Sequence, residues 1–193
     1  FEKNKRLDIQ DNTVKKITKY KDLFKIYCNG KKIVQSRKVI ITCGAFINNI
    51  KFKNSKKVLD TYYGVGNALE INDNKKILKK QIPKRTVIRS PNRGSTCGIH
   101  IVPRKENQYY LGAGSYISHK PNYNFRMGTI SYLINSAENE LFSKLTKLDF
   151  QPTIGFRPFS FDGRPMIGKI SENFFAVSGT KRDGLTMAPL IAN

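Results

Sequence analysis

The order of apolar and polar positions changes character along the chain. From Asn12 to Phe46 the segments NTVKKITKY and DLFKIYCNGKKIVQSRKVIITCGAF predict short strands in succession. Asn29-Gly30 lies between two of them and readily takes the positive φ angles of a hairpin turn. Val39 to Cys43 does not alternate: VIITC is a continuous apolar run that ends in Gly44-Ala45. Such a run predicts a strand buried on both faces of an α/β sheet, closed by a glycine that lets another group approach the backbone.

From Lys51 the texture becomes polar and Lys-rich, with four expected strands near Tyr62–Ile71, Arg85–Ser90, Gly98–Pro103 and Tyr109–Ala113. GVGNAL, Gly64 to Leu69, lacks the third glycine of a dinucleotide fingerprint and is followed by a charged turn instead of a helix. Between Phe125 and Leu145 the apolar residues Met127, Ile130, Leu133, Ile134, Ala137, Leu141, Phe142 and Leu145 are spaced by three and four, which predicts an amphipathic helix packed on the sheet. After Phe150 the pattern is again that of a buried domain. FFAVSGT reads as an apolar strand ending in Gly179, GLTMAPLIA as the start of a helix, and TKRDG as the short loop between them. A loop of that kind aims backbone N–H groups and the positive end of a helix at whatever sits above the sheet. Upstream, TIGFRPFSFDGRPMIG sets Arg157 directly before Pro158, which restrains it to extended backbone, and puts an Asp162-Gly163 turn just beyond.

Composition narrows the class. The 193 residues, 39% of them hydrophobic, suffice for one sizeable core or two small ones. No window approaches a membrane span and the N-terminal FEKNKRLDIQ has no apolar signal core, so a cytoplasmic protein is expected. Cys28, Cys43 and Cys97 lie far apart without metal-ligand spacing and are expected to be reduced thiols packed as small hydrophobes; no metal site is expected. The net charge of +21 is uneven, with 23 Lys/Arg against 7 Asp/Glu in residues 1–90. The lysines come as pairs (Lys15-Lys16, Lys31-Lys32, Lys56-Lys57, Lys75-Lys76, Lys79-Lys80) at expected strand ends. They read as solvated surface rather than a nucleic-acid face, and a basic polyanion-binding module is the competing reading from another class.

The ordered set VIITCGAF, GFRPFSFDGRPMIG and SGTKRDGLTMAP, with RSPNRGSTCGIHIVPR and YYLGAG as central strands, resembles the C-terminal half of the FAD-dependent D-amino-acid oxidase/glycine oxidase (DAO) family. The resemblance implies an α/β (α+β) fold: part of a glutathione-reductase-like FAD-binding domain plus an antiparallel-sheet substrate domain. Residues 1–50 would be the second part of the FAD-binding domain, 51–150 the substrate domain, and 151–193 the C-terminal part of the FAD-binding domain. The glycine-rich βαβ unit with which such proteins begin is absent from this sequence. The expectation is therefore a fragment, inactive alone, whose partner is the missing N-terminal FAD-binding half. The implied reaction of the intact protein takes a hydride from the α-carbon of an amino acid or related amine to the flavin and leaves an imine. A flavin dehydrogenase or a biosynthetic oxidase of another small substrate is the alternative within the fold.

Residue roles follow from the same resemblance. Arg157 is the expected ligand of the substrate carboxylate, in keeping with a guanidinium fork that stays charged; the competing role is a structural pair with a carboxylate such as Asp162. His100, in GIHIVP, either faces the flavin or fills a polar interior site, while His119 is expected at the surface. Tyr109 and Tyr110 point to opposite faces by alternation, so one hydroxyl, assigned to Tyr110, joins the substrate pocket. The implied cofactor contacts are Gly179, Thr180, Lys181, Asp183, Gly184, Leu185 and Thr186 at the flavin ring, Gly44 and Ala45 near the adenosine, and Val14 at the adenine. No catalytic acid or base is assigned, because flavin amine oxidation mainly requires the amine and carboxylate to be held in line.

Overall fold

The hairpin turn at Asn29-Gly30 forms, with Gly30 at φ 69°, in the computed structural model, which describes residues 7–53, 60–83, 85–92 and 98–192. The chain divides into two units, residues 1–61 with 158–193, and residues 62–157. The first unit begins with strands β1 (Val14–Tyr20), β2 (Leu23–Cys28), β3 (Ile33–Ser36), β4 (Val39–Ile41) and β5 (Lys51–Lys53). Four of these form a sheet in the order β3-β2-β1-β5, antiparallel except for the parallel β1–β5 pair.

The second unit, which ends at Arg157, holds β6 (Tyr62–Asn72), helix α1 (Ile77–Gln81), β7 (Ile88–Arg89), β8 (His100–Pro103), β9 (Gln108–Ser118), helix α2 (Met127–Glu140) and most of β10 (Asp149–Phe159). Its five strands are ordered β10-β6-β9-β8-β7. GVGNAL lies inside β6, as a strand and not as a phosphate loop. One face of this sheet carries Leu69, Ile71, Ile101, Tyr109 and Leu111, which bury themselves against Leu133 and Ala137 of α2. Helix α2 stops at Glu140, earlier than its apolar spacing predicts, while Phe142, then Leu145 from a short 3₁₀ turn over Leu145–Lys147, and Leu148 just after it continue into the same core. The segment GFRPF is the end of an eleven-residue strand. Pro152 and Pro158 are compatible with it because β10 is the sheet's edge, where a missing N–H breaks no ladder bond.

The chain returns to the first unit through β11 (Met166–Ser171), β12 (Phe174–Ser178) and helix α3 (Gly184–Ala192). Strands β11 and β12 are antiparallel, and β12 pairs in parallel with β4, Phe175 opposite Ile40. VIITC and FFAVS thus share one layer. A core of Ile17, Phe24, Val39, Ile41, Ile47, Phe174 and Ala176 joins this layer to the four-stranded sheet, with the Phe24 and Phe174 rings 5.3 Å apart.

Two expectations need correction here. The strand VIITC is buried on one face only: Ile40 is 62% exposed, and Ile167 across the sheet is 53% exposed on the same face. The cysteines are not core hydrophobes either. Cys28 is half-buried and Cys43 exposed, both as free thiols, because each falls at the end of a strand rather than within it; Cys97 lies outside the described residues, as do Lys56 and Lys57. No described helix is long and apolar enough to cross a membrane.

Candidate functional site

In the second unit, alternation along β6 and β8 separates two faces. Leu69, Ile71 and Ile101 face α2, so Gly66, Glu70 and His100 face away from it. Arg157 lies on that opposite face: its Nη1 is 3.2 Å from where a Cβ on Gly66 would be, and it donates to Ser115 Oγ at 3.3 Å. Ser115 is paired with Gly66 across β6 and β9, so the glycine leaves the room that the guanidinium fills while the serine fixes one edge of the fork. The side chain is half-buried, and Ser115 is its one hydrogen-bond partner among the described residues. Asp162 is not a buried partner: it is exposed, and its Oδ1 accepts from the Arg164 N–H at 2.9 Å. That bond, ahead of smaller contributions, holds its carboxyl below the usual carboxylate range.

His100 and Tyr110 share this face. Their rings stack with centroids 6.1 Å apart, the Arg104 guanidinium lies 5.0 Å from the Tyr110 ring, and His100 Nδ1 is 3.1 Å from the Gly98 carbonyl oxygen. Gly112 gives the imidazole its space, since a Cβ there would come within 2.9 Å of Nε2. The group is set apart from Arg157, because His100 belongs to β8 and Gly66 to β6, two strand spacings or about 10 Å away. His119 is exposed, edge-on to Tyr62. Ser115 and Gly66 escaped the sequence reading. The signal for them was the cross-strand pairing of the glycine-rich YYGVGN and LGAGSY, legible only once register is known.

The cofactor candidates fall in the first unit, at the carboxyl ends of the parallel strands β4 and β12. Gly44, at φ 59°, opens a 3₁₀ turn over Gly44–Asn49, and its carbonyl accepts from Ser178 Oγ at 3.0 Å. That bond ties the end of β12 to the end of β4. Ala45 is buried below. Gly179, at φ 69°, packs so closely that a Cβ would meet the Arg164 oxygen at 3.1 Å and the Met166 nitrogen at 3.3 Å, so the turn requires glycine. Thr180 bridges to Phe159, and its carbonyl accepts from the Asp183 N–H at 2.9 Å, which turns the chain into α3. Lys181 is committed locally. Its backbone N–H donates to Pro158 at 3.0 Å and its ammonium lies 5.6 Å from the Phe159 ring. Asp183, Leu185 and Thr186 are exposed, Leu185 at 91%.

Val14 borders a cavity of about 550 Å³ whose walls include Ile17, Val39, Ile41 and Cys43, with Asn12, Thr13 and Thr42 at its polar side. It thereby joins Val14 to the residues that immediately precede Gly44. Although Cys43 as a residue is exposed, the protein atoms around its thiol keep water partly away, and this desolvation pushes the thiol above its ordinary pKa. Among the described residues no group of three or more His, Cys, Asp and Glu is placed to hold a metal ion.

A family model described as FAD dependent oxidoreductase, DAO, matches residues 4–193. No curated protein matches the chain. Among solved structures, the glycine oxidase from Geobacillus kaustophilus aligns over 95% of this chain and 46% of its own, at 20% identity and a TM-score of 0.70. The iminodiacetate oxidase from Chelativorans sp. BNC1 aligns over 94% and 47%, at 12% identity and TM-score 0.63. The L-proline dehydrogenase from P. horikoshii aligns over 95% and 48%, at 16% identity and TM-score 0.60. At these identities the likeness is one of fold, and the chain spans a little under half the length of each structure.

Proposed function

The chain belongs to the DAO family of FAD-dependent oxidoreductases, and from that membership we propose that the protein containing it oxidises an amino acid or related amine at the carbon that bears the nitrogen, giving an imine. The observation that carries the proposal is Arg157. It is a half-buried guanidinium on the open face of an antiparallel sheet, held at one edge by Ser115 and given clearance by Gly66. Such a fork binds a carboxylate through two parallel N–H···O bonds and cannot be deprotonated at working pH.

The residues of the first unit fit FAD. Apolar walls from Val14, Ile17 and Val39 suit a purine plane, and Asn12, Thr13 and Thr42 offer polar groups beside it. Gly44 and Gly179 open the carboxyl ends of two parallel strands, the usual place for a dinucleotide in an α/β sheet. We assign Val14, Gly44 and Ala45 to the adenosine side and the Gly179–Thr186 turn to the flavin ring. The remaining contacts are proposed to come from polypeptide outside these residues, in keeping with a chain that spans under half of its structural neighbours. Bound FAD supplies the acceptor for the two electrons that leave the substrate carbon.

This chain's own part is positioning. Arg157 fixes the carboxylate, which leaves the adjacent C–H one direction to point in, and no charged base is needed once the amine is neutral. His100 and Tyr110 line the same face further along, where they would meet a longer side chain rather than the carboxylate. The neighbours named oxidase and dehydrogenase mark a second reading, in which the electrons pass to an acceptor other than oxygen. The test is to supply the FAD-loaded protein with a panel of amino acids and N-substituted glycines and to measure ammonia or amine release, with oxygen and then with an artificial acceptor. Release from at least one substrate is expected; none with either acceptor would overturn the reading.

A further inference from the structure

We propose that the second unit carries an anion-binding cleft, separate from the carboxylate site, for a ligand with two or more phosphate groups. The cleft has a volume of about 880 Å³ and lies between α1 with the residues after it and the turn from β8 to β9. Lys79, Lys80, Arg85, Arg104 and Lys105 line it, against the single acid Glu106. Glu106 pairs with Lys79 at 3.5 Å. Lys80, Arg85, Arg104 and Lys105 have no carboxylate partner among the described residues, although they surround one concavity. Like charges gathered in this way repel one another and raise the local concentration of anions.

The cleft also has features that scattered lysines lack. Its wall is apolar where Ile82, Val87 and Tyr109 contribute, so an organic group attached to the phosphates has a surface to lie on. Asn107, at φ 56° in the turn, lines the cleft's edge. Tyr109 and Ser115 are separated by about 20 Å of strand β9, so the cleft and the Arg157 site are different places on one sheet.

Phosphates alone, or phosphates with a nucleoside, would both meet this chemistry, and two probes distinguish them. Tripolyphosphate and ATP are titrated calorimetrically into the purified protein at low salt, without added metal. Lys80→Glu/Lys105→Glu, two exposed positions in the cleft, is compared with Lys38→Glu/Lys169→Glu, two exposed positions in the other unit. Both doubles change the net charge equally, so a general Coulombic attraction predicts equal losses. The cleft predicts saturable binding that falls tenfold or more in the first double and less than twofold in the second. Tighter binding of ATP than of tripolyphosphate assigns the apolar wall to the nucleoside; equal binding leaves the phosphates as the whole ligand. Should the first double fail to melt cooperatively, Lys80→Gln/Lys105→Gln carries the same comparison against Lys38→Gln/Lys169→Gln. No saturable binding of either probe, or equal loss in both doubles, overturns the proposal.

Discussion

Replacing Arg157 by alanine removes a guanidinium with several free donors, since the described bond to Ser115 occupies Nη1 alone. Two unit charges about 4 Å apart are worth about 4 kcal/mol near a protein surface, before the cost of desolvation. For a half-buried fork that holds a carboxylate through two hydrogen bonds, the net loss should be ~2–4 kcal/mol, or about 30- to 700-fold in Kd. Arg157→Lys should recover part of this, because an ammonium keeps the charge but not the planar fork. Gly66→Ala offers a second handle. Its Cβ would lie 3.2 Å from Nη1 and so displace the guanidinium by a few tenths of an ångström. A roughly tenfold loss is expected from that misplacement, and none in an Arg157→Ala background, where the two changes no longer couple. The assay is the change in the visible flavin spectrum as a simple carboxylate is titrated into the FAD-loaded protein. Unchanged affinity in Arg157→Ala would remove Arg157 from the site and the reasoning with it.

Other consequences are independent of turnover. Cys43 lines the cavity assigned to adenosine, so FAD should protect it from iodoacetamide while Cys28 reacts at an unchanged rate; because partial desolvation raises its pKa, the Cys43 rate should climb at higher pH than that of an ordinary thiol. Leu133→Ala empties a fully buried position between α2 and the sheet and should cost ~2–5 kcal/mol in denaturant unfolding. Asp162 has a depressed pKa when folded, so its stabilising bond is present above the ordinary carboxylate pKa and lost as pH falls below about 4. Asp162→Ala should therefore lower the Tm at pH 6 and have a smaller effect at pH 3.

Much of this arrangement was legible in the chain because local pattern and tertiary environment agree. VIITC and FFAVS are apolar runs that end in Gly44 and close to Gly179, and they do pair. The expectation failed where burial depends on what lies across a face, as at Ile40. Strand β10 was hidden by Pro152 and Pro158, which oppose a strand unless it lies at an edge, and edge position is a property of the whole sheet. Apolar spacing overran the end of α2 because Phe142 and Leu145 belong to the same core without belonging to the helix, Leu145 lying in a separate 3₁₀ turn. Ser115 and Gly66 depend on a register that passes through a bulge between Asn67 and Leu69, which no periodicity reveals. The paired lysines at Lys75-Lys76 are exposed as expected, whereas Lys79-Lys80 join three more cations around one cleft, because α1 brings them beside the turn after β8.

Anaerobic mixing tests the central claim most directly. The FAD-loaded protein is mixed with an α-amino acid, with the α-hydroxy acid of the same skeleton, and with the amine that lacks the carboxylate, and the yellow absorbance of the oxidised flavin is followed. The account predicts rapid bleaching by the amino acid and none by the hydroxy acid, with the amine far slower and indifferent to Arg157→Ala. Bleaching by the hydroxy acid, or equal bleaching by the amine and the amino acid, would contradict it.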